Sequence, residues 1–361
     1  MKPRNIAIAC GVAGTAVGLA AAAGIVYRKQ IKSVASLKRL TGYEDGYDLY
    51  AIDIAYDYDL DRIIAAGVRD DQAYIDAVVA QVLPGVPAHV QAPQFACSAF
   101  VAVDAEGRVR TGRNYDFKDD TSALLVRNHP RGGYASIGLA ALNNLGDNTP
   151  LDSVAGRAAA LMGPFAQLDG VNECGVSIVV LTLDSKPCDQ DTQRPVINTS
   201  LAIRLVLDRA ATTQDAVDLL SAYDMHAMAG RDYHFFINDA AGDARVVEWD
   251  PHDPDRAFKA TPVRQVTNFY ACYGDEVLPN QKNGELGHGK ERAVAIADVL
   301  DAHAGAQDEA VAWKALRAAA QEPNPEDITS NTQWSVVFDN TEPAAAITLR
   351  RHWGDVDAFA L

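Results

Sequence analysis

The chain has 361 residues, 48% hydrophobic and 22% charged, which is ordinary for a folded globular protein and long enough to bury a full core. Its formal net charge of -16 excludes nucleic acid as a partner, because phosphate binding needs a basic surface. The five cysteines, Cys10, Cys97, Cys174, Cys188 and Cys272, include no CxxC pair, so neither a zinc knuckle nor a thioredoxin-type site is indicated; a disulfide among Cys174, Cys188 and Cys272 stays open.

In chain order, residues 6–27 come first, an uncharged Ala/Gly/Val/Ile run between Lys2 and Arg4 on one side and Arg28, Lys29 and Lys32 on the other. Roughly 20 apolar residues cross a bilayer, so 1–28 is read as a secretory signal or a retained membrane anchor. Basic residues on both flanks leave the positive-inside rule without a preference. Either reading gives an exported or cell-membrane-associated protein. Next, 43–60 is rich in Tyr and Asp, with an alternating stretch at 51–55 that predicts a strand, and 70–83 predicts a helix. Pro84, Pro87 and Pro93 then mark 83–96 as an exposed linker, the kind of segment where processing happens. We read 29–96 as a pro-segment and linker.

From Cys97 the pattern turns to short β-type runs. Strands at 97–103 and 109–114 around the turn AEGR predict a hairpin opening at the cysteine. Further strands are expected at 124–127, 135–139 and 175–183, then helices at 201–210 and 213–222, the second capped by Thr212 or Thr213. Strands at 233–237, 244–249 and 263–268, helices at 291–302 and 308–320, and strands at 334–338 and 345–349 complete the chain. Runs of strands interrupted by paired helices indicate layered α+β packing. The stretch GELGHGKE at 284–291 imitates a phosphate loop but ends in Glu291 where Ser or Thr should hold magnesium. The eight histidines form no HExxH or other clear metal spacing, and there is no GxSxG elbow, so neither a metal site nor a serine hydrolase is supported.

An N-terminal cysteine nucleophile needs a cation near its thiol, a free α-amine as base, a carboxylate to hold that amine, and donors for the oxyanion. In a hairpin starting at Cys97, the returning strand GRNYDF brings Arg113 and Asp116 close to the thiol. Cys97-Ser98-Ala99-Phe100 followed by Gly112-Arg113-Asn114-Tyr115-Asp116-Phe117 resembles the choloylglycine hydrolase family of linear-amide hydrolases, in which the same Arg and Asp stand 16 and 19 positions after the nucleophile. The resemblance extends through DGVNECGVSIVVLTL at 169–183, VTNF at 266–269, GKERA at 289–293 and QWSVVFD at 333–339, and so covers 97–361 as one domain.

What the resemblance implies is a four-layer αββα sandwich and an amide hydrolase freed by cleavage at Ala96–Cys97. Cys97 would attack the carbonyl, Arg113 would favour the thiolate, and Asp116 would position the amine. Asn268 would donate to the oxyanion and Arg292 would fix the charged network. Thr182 stands where bile salt hydrolases have Asn and penicillin V acylases have Tyr, which makes it an oxyanion or substrate contact of shorter reach. The substrate is expected to be a small N-acyl amide, with no metal or organic cofactor; a homo-oligomer is left open. An acyltransferase on the same fold and a membrane-tethered ligand-binding protein are the alternatives.

Overall fold

The computed structural model describes residues 27–83, 96–145, 151, 153–280, 286–324, 326 and 330–361. The apolar run at 6–27 and the linker at 83–96 lie outside the described residues except at their ends. Among the described residues no helix is long and apolar enough to cross a membrane.

The segment ahead of the linker is built into the body of the protein. Helix α1 (Arg28–Ser36) leads to strands β1 (Lys38–Arg39) and β2 (Leu49–Ile54), then to α2 (Leu60–Ala65) and α3 (Asp71–Val82). Asp59 and Asp70 cap the two later helices by accepting from Arg62 N and Gln72 N. In β2 every residue but Asp53 is buried, as befits an interior strand, and it pairs in parallel with a strand that follows Cys97. Tyr74 of α3 donates its hydroxyl to Phe165 O at 2.9 Å. A pro-segment by sequence is therefore, in the fold, part of the core.

Strands β3 (Ala96–Val103) and β4 (Val109–Asp116) form the expected hairpin, followed by β5 (Ala123–Asn128), β6 (Ser136–Ala141), β7 (Asp169–Asn172) and β8 (Ser177–Leu183). After β9 (Val196–Asn198) come α4 (Thr199–Arg209), α5 (Thr213–Ser221), β10 (Asp224–His226), β11 (Asp232–Asn238), β12 (Ala244–Trp249) and β13 (Phe258–Pro262). Short strands β14 (Gln265–Val266), β15 (Asn268–Phe269) and β16 (Gly287–His288) precede α6 (Lys290–Ala302) and α7 (Glu309–Ala319). Strands β17 (Thr332–Asp339), β18 (Ala344–Leu349) and β19 (Asp357–Ala360) close the chain.

Two sheets face each other. One runs β1-β2-β5-β6-β7-β8-β11-β12-β13 and the other β14-β3-β4-β17-β18-β19. Helices α4 and α5 cover the first, α6 and α7 the second, which gives the αββα sandwich. The period of two in β3 assigns its faces: Cys97, Ala99 and Val101 join the core between the sheets, whereas Phe100 and Ala102 pack with Ile296, Leu300 and Leu316 of the helices. The nucleophile candidate thus points into the interlayer space. The single strand expected at 263–268 is instead two: β14 pairs with β3, and after Thr267 the chain leaves that sheet so that β15 pairs with β16. The crossing places Asn268 beside the start of β3.

Candidate active site

Every atom of Cys97 that chemistry could use has a partner. Its register opposite Tyr115, with Ala99 opposite Arg113, lets the long Arg113 side chain reach diagonally across the hairpin. Arg113 Nη2 donates to Cys97 Sγ at 3.4 Å. The Cys97 N–H donates to Asn268 Oδ1 at 2.9 Å, and the Cys97 carbonyl accepts from Arg292 Nη1. Arg292 Nη2 donates to Asn268 Oδ1 at 2.8 Å, so one guanidinium ties the backbone of Cys97 to the side chain that holds its nitrogen.

Arg292 reaches this place because the backbone yields. Gly289 caps α6 at φ +88°, and a Cβ there would lie 2.4 Å from Arg292 Nη2 and 2.7 Å from Thr267 Oγ1. At Gly287 a Cβ would meet Asn268 O at 2.0 Å. Gly287 and Gly289 of GELGHGKE serve close approach to Asn268 and Arg292 rather than to a phosphate.

Asp116 is buried and accepts from Thr332 Oγ1 at 2.6 Å and Gln321 Nε2 at 2.9 Å, with Arg292 Nη1 at 3.5 Å. Burial pushes its carboxyl up, against the pull of Arg292, Thr332, Gln321 and Arg113. Asn268 Nδ2 donates to Thr182 O at 2.8 Å and to Thr182 Oγ1 at 3.3 Å. The structure therefore brings Cys97, Arg113, Asp116, Thr182, Asn268 and Arg292 into one cluster, with Ala96 joined by the peptide bond. Two details differ from expectation in this intact chain: the nitrogen of Cys97 is held by Asn268 rather than Asp116, and the amide of Asn268 is turned to Thr182.

Burial pushes the Cys97 thiol up to about 12, although Arg113, Arg292 and the Asp116 N–H favour the thiolate. The guanidinium of Arg113 is itself dry. It pairs with Asp169 at 3.1 Å, both side chains fully buried, and lies over the rings of Tyr115 and Trp334 at 4.9 and 5.2 Å. Asp169 also accepts from Leu139 N at 3.0 Å and Trp334 Nε1 at 3.3 Å. Asp169 lies within DGVNECG, but its partner comes from the other sheet, so spacing gives no signal for it. Cys97, Cys174, Cys188 and Cys272 are all free thiols, and among the described residues no cluster of three or more His, Cys, Asp or Glu could hold a metal.

Residues 103–352 match the family model for acyl-coenzyme A:6-aminopenicillanic acid acyl-transferase. A mutant of the conjugated bile acid hydrolase of Clostridium perfringens is similar in structure, with TM-score 0.57 and 14% identity over 73% of this chain and 92% of that one. The penicillin V acylase of Agrobacterium tumefaciens is similar with TM-score 0.54 and 21% identity over 73% of this chain and 86% of that one. No curated protein sequence matches significantly. These likenesses bear out the αββα fold and the resemblance carried by the Cys97 hairpin.

Proposed function

The chain belongs to the acyl-coenzyme A:6-aminopenicillanic acid acyl-transferase family, and from that membership we propose that it hydrolyses linear amides of N-acyl substrates with Cys97 as an N-terminal nucleophile. The observation that carries the reading is the separate partner of each Cys97 atom: Arg113 at the sulfur, Asn268 at the nitrogen, Arg292 at the carbonyl oxygen.

In the intact chain the nitrogen of Cys97 is an amide that cannot serve as a base, and burial pushes the thiol up to about 12. Processing starts when Sγ adds to the Ala96 carbonyl carbon and the Ala96–Cys97 C–N bond breaks, leaving a thioester and a free amine. Water hydrolyses the thioester, giving a carboxylate at Ala96 and restoring the thiol. The new α-amine, with an ordinary pKa of about 8, is the base that a blocked nitrogen cannot be. It takes the thiol proton, Sγ attacks the substrate carbonyl, and Asn268 and Thr182 turn donors to the oxyanion. The amine leaves with the proton and a thioester remains; water, deprotonated by the same α-amine, releases the acid. Asp116 holds the ammonium form and Arg113 the thiolate.

Residues 28–82 stay with the enzyme after cleavage, because β2 is hydrogen-bonded on both edges inside the nine-stranded sheet. The run at 6–27 exports the chain or tethers it to a membrane. A second reading is acyl transfer, in which an amine replaces water in the last step; the name of the family favours weighing it. A panel of N-acyl amides, assayed by amine release with and without an amine acceptor, tests the reading. Hydrolysis by the wild type and none by Cys97→Ala is expected. Turnover by Cys97→Ala would refute it, and new amide formed only with the acceptor would favour transfer.

A further inference from the structure

A buried charged pair stands behind Asn268 and takes no part in the steps above. His234 of β11 and Glu248 of β12 are both fully buried, with His234 Nδ1 3.2 Å from Glu248 Oε2. Ser177 of β8 reaches Thr111 of the facing sheet, and the register that sets Ser177 opposite Asn238 also sets Leu181 opposite His234. By the period of two, His234 therefore points into the space between the sheets. There its Nε2 stands 3.0 Å from the carbonyl oxygen of Thr267. Thr267 is the residue at which the chain leaves β14 and delivers Asn268 to the site.

The same pair holds the far side of that crossing. Glu248 Oε2 accepts from Ala271 N at 3.0 Å, and Oε1 accepts from Cys272 N at 2.6 Å. Residues 267–272 are thus held at both ends by two side chains of the nine-stranded sheet, with Asn268 between. Counting donors fixes the hydrogens. The Thr267 carbonyl can only accept, so Nε2 carries one. A carboxylate that accepts two backbone N–H groups is an acceptor toward the ring as well, so Nδ1 carries another. His234 then donates twice, and both bonds are charge-assisted. A buried ion pair adds little stability over apolar side chains of the same volume. What this one supplies is direction. It fixes the carbonyl just ahead of Asn268, whose side chain must reach both Cys97 N and Thr182 O.

We propose that His234 and Glu248 are positioning residues for the oxyanion donor: they hold the Thr267 peptide so that Asn268 stays in reach of Cys97 and Thr182. Both act through Asn268. The proposal rests on the reading that Cys97 attacks N-acyl amides, since only then does Asn268 meet an oxyanion.

The test compares His234→Gln with His234→Asn in the full-length protein. The amide nitrogen of Gln falls near the place of Nε2 and can still donate to Thr267 O, whereas that of Asn falls near Nδ1 and cannot. For an N-acyl amide that the wild type hydrolyses, His234→Asn should lower kcat about 10- to 100-fold with KM within about twofold, because a displaced donor weakens the transition state alone. His234→Gln should recover most of that loss. Wild-type kcat in both variants, a loss that appears in KM, or equal losses in both variants that follow their urea midpoints would overturn the positioning role and leave the hydrolase intact. If His234→Asn does not fold, if the wild type hydrolyses no amide, or if turnover survives Cys97→Ala so that the hydrolase reading falls, nitrogen NMR of the wild-type ring near neutral pH decides. Hydrogens on both ring nitrogens of His234 support the clamp, and a bare nitrogen at either position overturns it.

Discussion

Asp169 is the charge that holds Arg113 against the thiol, and replacing it by asparagine isolates that role. Its Oδ2 stands 3.1 Å from Arg113 Nη1, and neither side chain touches water. At that separation the attraction is about 5 kcal/mol for an effective dielectric of 20. Desolvation of the two ions offsets much of this, so the pair as a whole contributes little. Removing one partner is different, because a dry guanidinium is left without a counter-charge, at a cost of about 3–5 kcal/mol. Asparagine keeps the shape and an acceptor for Leu139 N, so packing changes little. Urea unfolding followed by tryptophan fluorescence should report the loss, since Trp334 stacks on Tyr115 at 4.0 Å beside the pair. The double variant Asp169→Asn with Arg113→Met should recover at least half of it, because the unpaired charge is gone; losses that simply add would mean packing, not charge. A single variant within about 0.5 kcal/mol of wild type would refute the reasoning.

Three further outcomes follow from the geometry. Burial holds the thiol of the intact chain near 12, above its ordinary 9.0, so iodoacetamide labelling of Cys97 in freshly made, uncleaved protein should climb about tenfold per pH unit from 7 to 10. By the same sign, the stability that the buried neutral thiol contributes is present below pH 9 and lost as pH rises toward 12; labelling that levels off near pH 8 would contradict both. Gly289→Ala forces a Cβ to within 2.4 Å of Arg292 Nη2 at a positive φ, costing about 1–3 kcal/mol and slowing cleavage at Ala96–Cys97, as gel densitometry over time would show; unchanged processing would argue against Arg292. After cleavage, residues 28–82 should elute with the large chain in size exclusion and separate only in denaturant; their loss under native conditions would contradict the role of β2.

The hairpin of the site was legible because its information is local. Alternation in CSAFVAV, a Glu-Gly turn and the spacing to Arg113 and Asp116 all lie within 20 residues, and β3 and β4 form as that pattern requires. Asn268 and Arg292 were reachable only through the family resemblance, since their approach to Cys97 depends on the turn at Gly287 and Gly289. The motif that contains Asp169 carries no sign of its role, because its pairing with Arg113 spans two sheets. The place of 28–82 was hidden for a similar reason. Parallel pairing of β2 with β5 is a non-local contact, and a Tyr/Asp-rich sequence followed by prolines reads as an appendage.

Mass mapping of the enzyme trapped with a slow N-acyl substrate bears on the nucleophile most directly. The acyl group should sit on the sulfur of Cys97, in a chain that begins at that residue with a free α-amine. An acyl group on any other residue, or full turnover by protein in which Ala96 and Cys97 are still joined, would contradict it.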